Sequence, residues 1–183
     1  MQKNIKNKKK NYLITGGLGF IGSAITNRLL EKGFNVTVFD DLSRGKKKRI
    51  FNKNKKINII NGDIRNLHKL KKSLKNIDAV IHLAYVNGTK YFYTRPTEIL
   101  EIAVKGIMNI IDACKEKKIK ELYLASSSEV YQTPTKIPTD EKESLKIPDI
   151  YNPRYSYGGG KILTELMGIH YGKKYFKKLI IFR

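Results

Sequence analysis

Two residues one helical turn apart raise the question of chemistry in this chain. In "YSYGGGKILTE" (155–165), Tyr157 and Lys161 stand at i and i+4. The apolar residues around them, Ile162, Leu163, Leu166, Met167 and Ile169, recur at helical spacing, so both side chains share one face of the predicted helix. An ammonium about 6 Å from a phenol, at an effective dielectric of about 20, is worth about 2.8 kcal/mol, or about two pKa units. That predicts a Tyr157 hydroxyl moved from about 10 towards about 8, usable as a general base near neutral pH. Between the pair lie Gly158, Gly159 and Gly160, each costing roughly 1 kcal/mol relative to alanine in a helix. The expectation is that bare backbone there lets ligands come near the tyrosine. A Tyr-x-x-x-Lys pair alone is common, so its weight rests on its company.

That company begins at "LITGGLGFIGSAI" (13–25), where Gly16, Gly19 and Gly22 are spaced G-x-x-G-x-x-G between a strand-like and a helix-like segment. Such glycines allow a tight turn, close approach of backbone to a pyrophosphate, and free N–H groups at a helix N-terminus. Asp40 follows 18 residues beyond Gly22, at the end of the second strand-like run. A carboxylate there can accept both hydroxyls of an adenosine ribose and repel a 2′-phosphate. Glycine loop and acid in register predict dinucleotide binding, with NAD preferred over NADP, a preference that Arg44 and Lys46 nearby blur. "NGDIRN" (61–66) places Asp63 after the third strand, where ligands of open parallel sheets bind; an ordinary turn aspartate reads the same way locally. "LASSSEVY" (124–131) brings three serines out after the fifth strand. They are either hydroxyl donors to a ligand oxygen or turn formers. The three histidines and Cys114 lack metal-ligand spacing, so no metal site is expected. His82 ends a buried strand and reads as hydrogen-bonded structure.

The elements that must position these residues alternate. "NYLIT" (11–15), "FNVTVFD" (34–40), "INII" (57–60), "DAVIHLA" (78–84), "KELYLAS" (120–126) and "KKLIIF" (177–182) read as strands, with helical stretches near 20–32, 66–76, 96–118 and 157–176. Apolar strands separated by helices predict an α/β fold with a Rossmann-type doubly wound parallel sheet. In the helix 96–118, Glu101, Lys105, Asn109 and Asp112 form one narrow polar stripe. Such wide apolar coverage implies burial against the sheet and also against either a partner helix or more of the same chain.

The 183 residues amount to one domain: a basic tail at 1–10 and a dinucleotide-binding domain at 11–183. The lone cysteine suggests a reducing, cytoplasmic setting, and no apolar run reaches the ~20 residues that span a bilayer. Thirty-seven Lys+Arg against 16 Asp+Glu give a net charge of +21. Nucleic-acid binding would exploit that charge, with affinity falling steeply with salt. The lysines, however, crowd helix ends, loops and the runs Lys3–Lys10 and Lys46–Lys56. No arginine-rich helix or aromatic RNA-binding motif accompanies them. They read as a coding bias on solvated surface rather than a specific nucleic-acid site.

The pieces "TGGLGFIG", "FDDLSRG", "GDIR", "HLA", "SSSEVY" and "YSYGGGK", in this order and spacing, resemble the extended short-chain dehydrogenase/reductases, specifically the NAD-dependent nucleotide-sugar epimerase/dehydratase family. The resemblance implies a tightly held, recycled NAD. It implies pyrophosphate contacts from the backbone of Phe20 and Ile21, ribose binding by Asp40, and adenine contacts from Asp63 and Ile64. Leu83 and Ala84 would line the groove, and Lys161 would hold the nicotinamide ribose. Tyr157 would be the base that removes a proton from a sugar hydroxyl, and Ser127, counted back from Tyr131, would hydrogen-bond the same oxygen. The implied reaction is oxidation of a nucleotide-linked sugar at C4 to a ketone. Ser128-Glu129 stands where sugar dehydratases carry an Asp-Glu pair, so epimerisation is expected over dehydration, while Ser-Glu also resembles members that decarboxylate UDP-glucuronate. Family members dimerise through helices matching 96–118 and 157–176. They also continue past "IIFR" into a small substrate domain, so the chain is expected to be a portion truncated before that domain. The alternative from another class is a non-catalytic NAD-binding module, for which an intact Ser127/Tyr157/Lys161 set has no use.

Overall fold

Residues apolar on both strand faces require cover on both sides, and the chain supplies it. In a computed structural model, which describes residues 9–51 and 57–183, six strands form one parallel sheet of order β3-β2-β1-β4-β5-β6. The strands are β1 (Asn11–Thr15), β2 (Asn35–Asp40), β3 (Ile57–Asn61), β4 (Ala79–His82), β5 (Glu121–Ala125) and β6 (Lys178–Phe182). The order reverses between β1 and β4, which pair in register from Tyr12↔Ala79 to Thr15↔His82. That reversal opens a crevice at the carboxyl ends of the strands. The expected doubly wound α/β sheet is the one observed. Most of the basic tail at 1–10, and part of the lysine run at 46–56, lie outside the described residues.

Alternate residues of the same strand feed opposite cores. Leu13, Phe39, Val80, Leu122 and Leu124 pack with Ile107, Ile110 and Ile111 on one face. Ile14, Val36 and Val38 pack with Leu18, Leu30 and Ile50 on the other. α1 (Phe20–Glu31) covers the second face, and α2 (Leu67–Ser73) and the later helices cover the first.

The helix expected at 96–118 differs from a single α-helix. It runs as α4 (Pro96–Glu101), a wide π turn (Ile102–Gly106) and α5 (Ile107–Glu116). The widening falls where the turn after β3 docks: a Cβ on Gly106 would stand 2.5 Å from Ile64 Cδ1. Asn109 donates its amide to the carbonyls of Ile64 and Arg65, both at 2.9 Å. π turns of this kind accommodate such local demands. The stretch expected at 157–176 is likewise α6 (Ser156–Leu166) followed by a π turn (Met167–Gly172). A short α3 (Thr89–Thr94) precedes α4; its six residues are too few to show a helical period in the sequence.

The polar stripe on α4–α5 meets the chain's own groups. Glu101 pairs with Arg65 at 3.0 Å, and Asp112 accepts from the Tyr171 hydroxyl at 2.9 Å. Beside it, Leu100, Val104 and Met108 form an exposed apolar row at four-residue spacing.

Candidate active site

The site starts from the glycine loop. Gly16 adopts φ +68°, and a Cβ there would lie 2.8 Å from the Ala84 amide nitrogen, so only glycine allows the loop to press against the end of β4. The first intrahelical bond of α1 runs from Ser23 N to Gly19 O at 3.0 Å. The N–H groups of Phe20 and Ile21 therefore precede the hydrogen-bonded turn and face outwards at the positive end of the helix dipole.

Asp40 is buried, and its carboxylate accepts from Leu18 N and Leu42 N, both at 2.9 Å. It thus ties the glycine loop to the end of β2 and keeps lone pairs for further donors. Asp63 is held more completely than its local sequence suggested. Arg65 grips it through Nε (2.9 Å) and Nη2 (2.6 Å) while reaching Glu101 on α4. That guanidinium holds the Asp63 carboxyl below the usual carboxylate range against the opposing effect of burial.

At the end of β1, Thr15 Oγ1 accepts from the N–H groups of Leu83 and Ala84, each at 3.2 Å. It therefore donates to His82 Nδ1 at 2.8 Å, leaving the imidazole proton on Nε2. Burial, reinforced by the nearby Lys161 charge, brings His82 down to about 3. It is neutral structure, as its place at the end of β4 suggested.

Tyr157 and Lys161 emerge from the first turns of α6, and both are buried, at 5% and 4% exposure. Lys161 Nζ donates to the Ala125 carbonyl at the end of β5, 2.7 Å away. Ser127, whose Oγ accepts from Glu129 N at 3.2 Å, stands close enough to the Tyr157 hydroxyl to favour its ionised form. Ser126, the neighbouring serine, turns instead to Glu165, so of the three serines it is Ser127 that meets the tyrosine. The ring of Phe92 stacks on Tyr157 with centroids 4.9 Å apart, and Tyr85 meets it edge-on at 5.2 Å.

Two expectations need correction. The phenol is not lowered by its lysine: burial raises Tyr157 above its ordinary value, nearby Ser127 pulls down and Glu129 pushes up. Desolvation outweighs an ammonium that burial itself brings down to about 7, with Glu165 acting in the opposite sense. The three glycines also serve a different purpose. Added Cβ atoms would meet Gln132 Nε2 at 2.9 Å from Gly158, Ile147 Cδ1 at 3.2 Å from Gly159 and Tyr85 Oη at 2.2 Å from Gly160. Bare backbone there admits the protein's own side chains.

Gly16, Gly19, Phe20, Ile21, Gly22, Asp40, Asp63, Ile64, Leu83, Ala84, Tyr157 and Lys161 all line one cleft of about 520 Å³. Ser127 joins them through Tyr157. Residues that motif reasoning passed over are Tyr85, which also lines the cleft, Phe92, and the ion pair Arg154–Glu129 at 2.9 Å. The Arg154 guanidinium lies over the Phe92 ring at 5.0 Å. Of these, the sequence singled out only Glu129, in the Ser128-Glu129 pair; nothing local pointed to Tyr85, Phe92 or Arg154. A glycine cradle, outward N–H groups, a carboxylate with spare acceptor capacity and a buried Tyr–Lys pair in one crevice suit a dinucleotide.

The buried lysine has a measurable cost. Unfolded, Lys161 takes up its proton near 10.5, and folded, near 7. Between those values the unfolded chain binds more protons, so stability climbs with pH, and below about 7 the full penalty applies. Lys161→Met is therefore expected to raise the Tm by roughly 3–8 °C at pH 6 and by less at pH 9. Calorimetric scans at the two pH values check this; an equal shift at both would refute it.

A sequence model described as the NAD dependent epimerase/dehydratase family matches residues 12–183. A putative UDP-glucose 4-epimerase of Methanocaldococcus jannaschii is 33% identical over 165 residues, 89% of this chain and 50% of its own length. A UDP-N-acetyl-alpha-D-glucosaminuronate decarboxylase of Bacillus cytotoxicus is 34% identical over 163 residues, again 89% and 50%. Among solved structures, the UDP-N-acetylglucosamine 4-epimerase of Methanobrevibacter ruminantium, in complex with UDP-N-acetylmuramic acid, superposes with a TM-score of 0.82. It is 31% identical over 93% of this chain and 53% of that one. The UDP-glucose 4-epimerase of Brucella ovis in complex with NAD gives a TM-score of 0.81 at 27% identity, covering 94% and 51%. The chain spans about half the length of the curated relatives it matches.

Proposed function

Because the chain belongs to the NAD dependent epimerase/dehydratase family, we propose that it is an NAD-dependent enzyme of nucleotide-sugar metabolism. It oxidises the C4 hydroxyl of a UDP-linked sugar to a 4-ketone, the first step of 4-epimerisation. The observation that carries this is Tyr157 and Lys161 lining the glycine-loop cleft, with Ser127 beside the tyrosine. A coenzyme-holding scaffold needs no buried base.

NAD, when bound, supplies the hydride acceptor. Phe20 and Ile21 offer their N–H groups to its pyrophosphate, and the spare lone pairs of Asp40 accept from the adenosine ribose. Asp63 and Ile64 frame the adenine, with the Asp63 carboxylate already steadied by Arg65. Leu83 and Ala84 form the wall of the groove. Lys161, with one N–H spent on Ala125, has two left for ribose hydroxyls. Tyr157 removes the C4 hydroxyl proton, and Ser127 donates to the same oxygen. After the sugar turns, Tyr157 returns that proton as the ketone is reduced from its other face.

The test is interconversion of UDP-glucose and UDP-galactose by the protein with NAD, alongside NAD binding by calorimetry. Binding without exchange of any UDP-hexose would leave the non-catalytic module. A second reading, decarboxylation of a UDP-hexuronate, has its own support in the Glu129–Arg154 pair beside Phe92 and Tyr157. Release of CO2 from UDP-glucuronate separates the two.

The exposed row Leu100, Val104 and Met108, with Leu166 and Ile169 on the adjoining α6 segment, suits a second copy of the chain: two such helices per subunit would build an apolar four-helix contact. Light scattering tests this dimer, and a monomeric mass at micromolar concentration would refute it. Among the described residues no helix is long and apolar enough to cross a membrane. Cys114, buried and pushed up to about 12 by burial, suits the cytoplasm, which cell fractionation would check.

A further inference from the structure

Tyr85 follows β4 and reaches across the cleft to α6. Its ring lies under the Lys161 ammonium, 3.9 Å from Nζ to centroid, and meets Tyr157 edge-on at 5.2 Å and 88°. Its hydroxyl enters a slot between two helices. A Cβ on Gly160 would stand 2.2 Å from Tyr85 Oη and 2.8 Å from Ala103 Cβ, so any larger residue at 160 would fill that slot. Tyr85 Oη is buried with no hydrogen-bond partner among the described residues. What Tyr85 offers Lys161 and Tyr157 is its ring, by face and by edge.

We propose that Tyr85 is a positioning residue, anchored in the slot at Gly160, whose ring face keeps Lys161 a cation aimed at the cleft and whose edge fixes the direction of Tyr157. This rests on the reading of Lys161 and Tyr157 as the reacting pair, although its physical content can be tested without turnover. A cation over an aromatic face is favoured most where water is excluded, and Lys161 is buried, with the Ala125 carbonyl as its hydrogen-bond acceptor. The other titratable groups facing the ammonium are few. His82 from β4 is neutral and raises no competing charge at neutral pH. Glu165, one turn further along α6, acts in favour of the cation, but its carboxylate is shared with Ser126 and Arg183. Tyr157 is a neutral phenol, and Glu129 beyond it is paired with Arg154. The Tyr85 ring is thus the face against which the charge rests.

Lysine side-chain carbon resonances in 13C-lysine-labelled protein, with Lys161 assigned by its loss in Lys161→Met, read the protonation directly in the absence of NAD. The Tyr85→Phe variant keeps the ring and is expected to titrate within about 0.3 pH units of the parent. Tyr85→Leu removes it and is expected to lower the midpoint by about one unit, roughly a tenfold loss of the protonated form. Gly160→Ala, which drives the hydroxyl from its slot, is expected to lower the midpoint as well. Combining it with Tyr85→Phe should restore part of the shift, because only the clash with Ala103 remains. A midpoint in Tyr85→Leu equal to or above that of the parent, or a fall in Tyr85→Phe as large as in Tyr85→Leu, overturns the proposal. Should Tyr85→Leu not fold, an unshifted Gly160→Ala does so equally. Loss of NAD or sugar turnover with the expected titrations would instead count against the proposed function alone.

Discussion

Tyr157→Phe is expected to lower sugar oxidation by roughly 10²–10⁴-fold, the usual worth of a general base, while NAD affinity stays within a few-fold. The substitution leaves the ring between Phe92 and Tyr85 and removes only the hydroxyl beside Ser127, so stability is expected to change by no more than about 1 kcal/mol. What disappears is the atom that takes the proton. Burial raises the free phenol above its usual value, so near neutral pH it is protonated, and the fraction able to accept a proton grows with rising pH. The parent is therefore expected to show kcat/KM climbing across pH 7–9, a climb that vanishes in the phenylalanine variant. A bound cationic nicotinamide favours the phenolate and shifts the climb to lower pH. A phenylalanine variant with parental turnover would move the base elsewhere and leave Tyr157 a packing residue.

The second large effect is expected at Gly22. A Cβ there would stand 2.1 Å from Gly16 O and 2.8 Å from Gly17 Cα. Both are backbone atoms of the loop, so no side chain can swing aside, and α1 must retreat from the turn it caps. The N–H groups of Phe20 and Ile21 move with it. Gly22→Ala is expected to destabilise the fold by about 3 kcal/mol, a Tm fall of roughly 6–12 °C, and to weaken NAD binding by at least about 10²-fold. Gly159→Ala is the matched control. Its Cβ would meet only the flexible end of Ile147, at 3.2 Å, and alanine favours the helix by roughly 1 kcal/mol, so the Tm should hold or rise. Calorimetry on both variants checks the pair, and an unchanged Tm and affinity in Gly22→Ala would contradict the close packing described above.

Much of this site could be read in advance because its components are local. The glycine spacing works through a single strand–turn–helix, and Asp40 through the length of one βαβ unit. Tyr157 and Lys161 share a face because a helix repeats every 3.6 residues. Strand positions followed from apolar runs, and the parallel sheet from their alternation with helices. The readings that needed revision concern residues far apart in sequence. Gly160 looked like an opening for ligand until Tyr85, 75 positions earlier, was found in the space. The helix at 96–118 looked continuous until the turn at Ile64 and Arg65 was seen docked on it.

Spacing along the chain thus settles which residues share a strand, a turn or a helical face, because short-range sterics and hydrogen bonding act within a few residues. It carries no measure of how much water remains around a group once distant segments close over it. For that reason the partnership of Tyr157 with Lys161 was visible from residue types alone, whereas the direction of their proton affinities was not. Burial by β4, β5 and the later helices raises the phenol and lowers the ammonium, and desolvation of that kind exists only in the assembled fold.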